Sequence, residues 1–176
     1  MALPALGQKI PLSSDNKKAI SLYQTGNNQA RRFQYAQAEE NFKAAIKKDS
    51  RFLEAYFALG TLYKRTKDYQ RASNTYEQGI AVATTQKQLH RFYKVIGETY
   101  FATTQYKKAR GYLTSYLEII KPTDKRVLSD INLMIRHTLF AEKAIQQPVD
   151  FDPQPVSSAV NRFPVQTCAL PISATC

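Results

Sequence analysis

Apolar and small residues recur through the middle of the chain at helical intervals. Three blocks align: Tyr35-x-x-Ala38-x-x-x-Phe42-x-x-Ala45, Tyr69-x-x-Ala72-x-x-x-Tyr76-x-x-Gly79 and Tyr106-x-x-Ala109-x-x-x-Leu113-x-x-Tyr116. They begin 34 and 37 residues apart, so one connection carries three extra residues. Ahead of each block lies a second pattern: Leu22…Gly26, Tyr56-x-x-Leu59-Gly60-x-x-Tyr63 and Tyr93-x-x-Ile96-Gly97-x-x-Tyr100. Spacings of three and four put each set on one face of a helix. The chain therefore predicts an all-α fold built from repeated pairs of short amphipathic helices. Gly60 and Gly97 cost helix propensity of about 1 kcal/mol each, which is tolerable where a paired helix must come close. Ala38, Ala72 and Ala109 make the same approach from the second helix, and Tyr and Phe fill the space between pairs.

The pattern extends beyond the three pairs at both ends. Pro122 stops the third pair, since proline cannot continue a helix, and Thr123-Asp124 can cap another. Leu128, Ile131, Met134, Ile135, Leu139 and Phe140 then give an apolar stripe up to about Ile145. This reads as a capping helix, which a stack of helical pairs needs and whose outer face should be polar. At the other end, Asp15 is positioned to cap the first helix ahead of Lys17-Lys18-Ala19-Ile20.

Taken together, these motifs resemble the tetratricopeptide repeat: a bulky residue, then Leu-Gly, Tyr, Ala, an aromatic and a small residue. The second copy, about residues 53–86, matches nearly every position. The third, about 90–123, departs at Leu113 and Tyr116, and the first, about 19–52, has Thr25 and Gln29 where Leu and Tyr are expected. With the capping helix at 124–146, the repeat domain is expected to span residues 15–146. The resemblance implies a solenoid whose groove, lined by the first helix of each pair, takes a protein or peptide. The positions left for that groove are Tyr23, Asn27, Ala58, Thr61, Arg91, Lys94 and Val95. One subclass of the family clamps a terminal carboxylate with five Lys, Asn and Arg residues. Asn27 and Arg91 stand at two of those positions, but Tyr23, Ala58 and Val95 stand at the other three and cannot supply charge-assisted bonds. The groove is mildly basic and aromatic, suiting an extended or helical peptide of some acidic character.

The two ends read differently. Residues 147–164 hold four prolines and no helical period, the composition of a linker. Pro148, Phe151, Pro153, Asn161 and Phe163 resemble the segment that joins such repeats to a WD-type β-propeller in bacterial envelope proteins, some of which also carry an OmpA-like domain. Residues 165–176, VQTCALPISATC, hold both cysteines and read as a translated sequencing adapter. Residues 1–14 are apolar at the start and carry Ala5-Leu6-Gly7 ahead of Gln8, as in the remnant of a signal peptide.

Composition adds limits rather than chemistry. The chain of 176 residues has a net charge of +11, 43% hydrophobic residues and no run approaching a membrane span. A basic chain invites nucleic-acid binding, but the Lys and Arg are dispersed along the helices and no nucleic-acid-binding motif is present. His90 and His137 lie far apart, one near a helix start and solvated, the other on the polar flank of the capping helix, with no metal-ligand spacing. No nucleophile, phosphate-loop or dinucleotide motif occurs. The expected function is non-catalytic, cofactor-free protein interaction and scaffolding. The leader and linker point to the periplasm at the outer membrane; the alternative is a cytosolic adaptor for a signalling or transcription partner, and the weakest is electrostatic nucleic-acid binding.

Overall fold

The computed structural model describes residues 12–120 and 124–147; Pro122, Thr123, the leader up to residue 11, and everything after 147, including the expected propeller linker and adapter-like tail, lie outside the described residues. Seven helices follow one another among the described residues: α1 Lys17–Arg31, α2 Tyr35–Lys48, α3 Leu53–Arg65, α4 Tyr69–Val82, α5 Gln86–Ala102, α6 Tyr106–Ile120 and α7 Lys125–Gln146. They pack as the pairs α1–α2, α3–α4 and α5–α6, each second helix also touching the next pair, with α7 against α6.

The helix starts follow from local hydrogen-bond chemistry. Asn16, not Asp15, caps α1: its side-chain oxygen accepts the amides of Lys18 and Ala19 at 3.0 and 3.1 Å. Asp15 stands one residue too early for that geometry. The Asn16 amide nitrogen also donates to the Lys48 carbonyl at 3.1 Å, tying the start of α1 to the end of α2. Helix α3 has no side-chain cap of its own at Phe52. Its first amide, of Leu53, is instead taken by Ser13 Oγ at 2.9 Å, from forty residues upstream. A capping box between Thr85 and Gln88 starts α5 at Gln86, a turn before the expected start near residue 90. Asp124 caps α7 as its sequence predicts, accepting the amide of Arg126 at 2.8 Å.

Each hairpin turns in the same way. The amides of Gln34, Asp68 and Gln105 reach back five residues to the carbonyls of Gln29, Tyr63 and Tyr100. The residue before each, Phe33, Lys67 or Thr104, takes the left-handed conformation with φ near 60°. This is the helix-ending arrangement that glycine usually fills, here occupied by three side-chain-bearing residues.

Within each pair a glycine on the first helix faces a bulky side chain on the second. A Cβ at Gly26, Gly60 or Gly97 would come within 2.8, 2.5 and 2.8 Å of Phe42, Tyr76 and Leu113 respectively. Those three partners are buried, as are Ala38, Ala72, Ala109, Tyr56, Leu59, Tyr63, Ile96 and Tyr100. Tyr35, Tyr69, Tyr93 and Tyr106 are half-buried at the margins. Between pairs, Tyr63 donates to Glu39 at 2.8 Å and Tyr100 donates to Glu77 at 2.5 Å; the two tyrosines are equivalent in the repeat, while Glu77 stands one helical turn further along α4 than Glu39 does along α2. Burial works to raise the Glu39 carboxyl, but hydrogen bonds from Lys43 and Tyr63 and the charges of Lys43 and Arg71 hold it below its ordinary value.

The expected stripe on α7 divides. Ile131 is buried, and Met134 and Ile135 pack with it against Leu113 and Tyr116. Leu139, Phe140 and Ile145 are exposed. Phe140 is nine residues beyond Ile131, about two and a half turns at 3.6 residues each, so the two face opposite ways. The outer face of this end helix is therefore not purely polar.

A basic aromatic groove along the first helices

Helices α1, α3 and α5 touch in succession, and the surface they share carries two clefts. The first, of about 340 Å³, is lined from α1 by Tyr23, Asn27, Ala30 and Arg31, and from α3 by Phe57, Ala58, Thr61, Leu62 and Arg65, with Phe42 beneath and Arg91 of α5 closing one side. Five of the seven residues expected in the groove thus meet in one place: Tyr23, Asn27, Ala58, Thr61 and Arg91. Lys94 and Val95 do not border it. Both are half-buried further along α5, and Val95 packs against the core.

Three arginines converge on this cleft, and no carboxylate lines it. Among the described residues none of Arg31, Arg65 and Arg91 forms an ion pair, whereas Arg71 and Arg110 are each held by acidic partners. Two of the three are positioned by rings instead. The Arg91 guanidinium sits 4.6 Å over the Phe57 ring, and that of Arg65 lies 5.3 and 5.5 Å from Phe33 and Tyr35. Stacking leaves the edge N–H groups of a guanidinium directed sideways, free for a bidentate acceptor. Thr61 Oγ1 is already committed, bonding the Phe57 carbonyl at 2.7 Å and lying 3.2 Å from the Tyr76 hydroxyl.

The second cleft, of about 680 Å³, adjoins the first through the shared Phe57 and Arg91. Its walls include Leu53, Phe57 and Phe92, with Leu12 and Ser13 of the N-terminal segment at one edge. Ser13 is fixed there by donating its amide and hydroxyl to Glu54 at 3.1 and 2.6 Å. His90, expected to be solvated, is half-buried and lines this cleft. His137 is exposed on α7 as expected.

Residues that the sequence reading missed share a register with ones it found. Phe57 stands one repeat after Tyr23, and Arg65 one repeat after Arg31, each 34 residues on. That identity of position was the available signal. Among the described residues no cluster of three or more His, Cys, Asp or Glu could hold a metal ion, and no helix is long and apolar enough to cross a membrane.

Comparison with known proteins agrees with this architecture. Residues 29–96 match the family model described as Tetratricopeptide repeat. The fold is that of a tetratricopeptide-repeat solenoid. The Tetratricopeptide repeat protein 21 homolog of Caenorhabditis elegans is 30% identical over 105 residues, covering 59% of this chain and 8% of that protein. Its Caenorhabditis briggsae counterpart is 28% identical over 102 residues, 57% of this chain. The chain thus spans 8% of the length of the curated relatives it matches. Among solved structures, the first TPR of Spaghetti (RPAP3) bound to the HSP90 peptide SRMEEVD superposes with a TM-score of 0.62 at 18% identity, covering 71% of this chain and 96% of that one. The type III secretion chaperone SycD of Yersinia enterocolitica, in complex with a peptide of the translocator YopD, gives 0.62 at 22% identity over 74% and 97%. At such identities the likeness concerns the solenoid fold alone.

Proposed function

We propose that this tetratricopeptide solenoid is a non-catalytic interaction module that holds a peptide segment along α1, α3 and α5, with acidic side chains of the ligand directed at Arg31, Arg65 and Arg91. The observation that carries this is a cleft with three arginines, none in an ion pair among the described residues, and no carboxylate of its own. Solved relatives of the fold include peptide complexes, which supports a peptide ligand. The terminal-carboxylate clamp is not the mode of binding, because Tyr23, Ala58 and Val95 stand where it needs polar or charged groups. Guanidiniums in the last turns of α1 and α3 take over that electrostatic role at a different level of the groove.

A random heptapeptide display library selected on the immobilised chain tests this. Enriched peptides should be rich in Asp and Glu, and an Arg65→Glu, Arg91→Glu variant should bind them at least about tenfold more weakly, a loss of about 1.4 kcal/mol. Enrichment of neutral or basic sequences, or equal binding by the variant, would overturn the reading.

The setting we propose is the bacterial envelope, with the module at the periplasmic side of the outer membrane and a propeller-type domain following it. The residues of the leader and linker support this. Fractionation of cells expressing the native gene product decides it: recovery with the cytosol returns the module to the adaptor reading.

A further inference from the structure

The smaller cleft is more cationic than one carboxylate can match. Arg31, Arg65 and Arg91 all line its 340 Å³, and no Asp, Glu or Lys does. That volume is at the small end of the range for ligand sites, about 300–1,000 Å³, and encloses one side chain rather than a long run of chain. Two of the three guanidiniums are held in place by the protein itself: Arg91 over Phe57 at 4.6 Å, and Arg65 against Phe33 and Tyr35 at 5.3 and 5.5 Å. Arg31 and Arg65 occupy equivalent positions in the last turns of α1 and α3. Asn27 and Tyr23 line the same cleft and can donate from an amide and a phenol.

Charge and geometry together select the group that fits. A glutamate or aspartate brings one negative charge and two oxygens, which a single planar guanidinium already engages bidentately. Two cations would then stay uncompensated in the same small space. A phosphorylated serine or threonine brings a charge of about −1.5 to −2 at pH 7 and three acceptor oxygens, one for each arginine. A phosphodiester in a nucleic-acid backbone brings only one charge, no more than a carboxylate does. Every cation lining the cleft is an arginine, the side chain whose fork matches phosphate.

We propose that this cleft is a phosphate site: the peptide held along the first helices carries a phosphorylated serine or threonine whose terminal oxygens are shared among Arg31, Arg65 and Arg91. The assignment rests on the groove being a site for acidic peptides and sharpens which acidic group it takes.

Three degenerate heptapeptide pools test it, with phosphoserine, glutamate or serine fixed at the central position and all other positions mixed. On the immobilised full chain at about 0.15 M salt, the phosphoserine pool should be retained at least about tenfold more strongly than the glutamate pool, or about 1.4 kcal/mol. Arg65→Lys keeps the charge but loses the fork and the ring stacking, and should abolish most of that preference. Equal retention of the phosphoserine and glutamate pools, with serine left behind, overturns the phosphate assignment and leaves the acidic-peptide groove standing. Equal retention of all three pools overturns the groove reading with it. A preference that Arg65→Lys leaves unchanged also overturns the assignment, since the phosphate then binds elsewhere. So does displacement of the phosphoserine pool by an equal concentration of single-stranded oligothymidylate, which would mark the cleft as a site for nucleic-acid backbone.

Discussion

Two glycine-to-alanine substitutions separate the packing account from helix propensity. At Gly60 a methyl group would lie 2.5, 2.6 and 2.9 Å from three ring carbons of Tyr76, well inside the 3.5–4.0 Å at which carbon atoms attract. The ring cannot yield cheaply. It is fully buried, packed near Phe57 and Phe92 at centroid distances of 6.0 and 6.3 Å, and its hydroxyl lies 3.2 Å from Thr61. Overpacking of this kind costs typically 1–3 kcal/mol, and a rigid buried ring argues for the upper part of that range. Alanine returns about 1 kcal/mol of propensity, so Gly60→Ala should destabilise by about 1–2 kcal/mol net. Gly111 lies inside α6 with no atom within 4 Å of its would-be methyl group. Gly111→Ala therefore keeps the propensity gain without the clash and should stabilise by about 0.5–1 kcal/mol. Urea unfolding of both variants gives the contrast directly, as midpoints displaced in opposite directions with unchanged slopes. If Gly60→Ala stabilised the chain as much as Gly111→Ala does, α3 and α4 could not approach through Gly60.

Other expectations follow from the bonds between and within repeats. Tyr63→Phe removes the hydroxyl that donates to Glu39 and should cost about 1 kcal/mol of unfolding free energy. Burial pushes the Tyr76 phenol up to about 12, above its ordinary value near 10. Stability should therefore hold below pH 10 and fall as the pH rises through about 12, visible as alkaline loss of helical dichroism. Glu39 works in the other direction. Its folded value is depressed, so its contribution is present above about pH 4.3 and is lost as the pH falls through the depressed value, which a Glu39→Gln variant should show as a flatter acid limb. Lys67 holds a positive φ of 63° in an exposed turn, and Lys67→Gly should raise stability by about 0.5–1 kcal/mol, measured by thermal melting.

The repeat was legible because its register is written in residues that can do only one job. Glycine at 26, 60 and 97 and alanine at 38, 72 and 109 mark close approach, and the structure places a buried Phe42, Tyr76 or Leu113 against each of those glycines. The turns were not legible. Phe33, Lys67 and Thr104 give no local sign of the left-handed conformation that the helix-ending hydrogen bonds impose on them. Nor was the cap of α3, since Ser13 acts on Leu53 across forty residues of sequence. In the groove, repeat register brings five candidates together, while Arg31, Arg65 and Phe57 carry no packing signature in the sequence and become groove residues only once α1, α3 and α5 stand side by side. The stripe on α7 was misread as a single face: Ile131 and Phe140 are both apolar, but half a turn separates them.

A ligand lying along the first helices, over the three arginines, should perturb those helices selectively. The most direct measurement is amide chemical-shift mapping of the labelled chain with an acidic peptide taken from the display selection. The largest shifts are expected at Asn27, Ala58, Thr61, Arg65 and Arg91, and they should vanish for the same peptide with its Asp and Glu replaced by Asn and Gln. Shifts confined to α2, α4 and α6, or unchanged by that replacement, would contradict it.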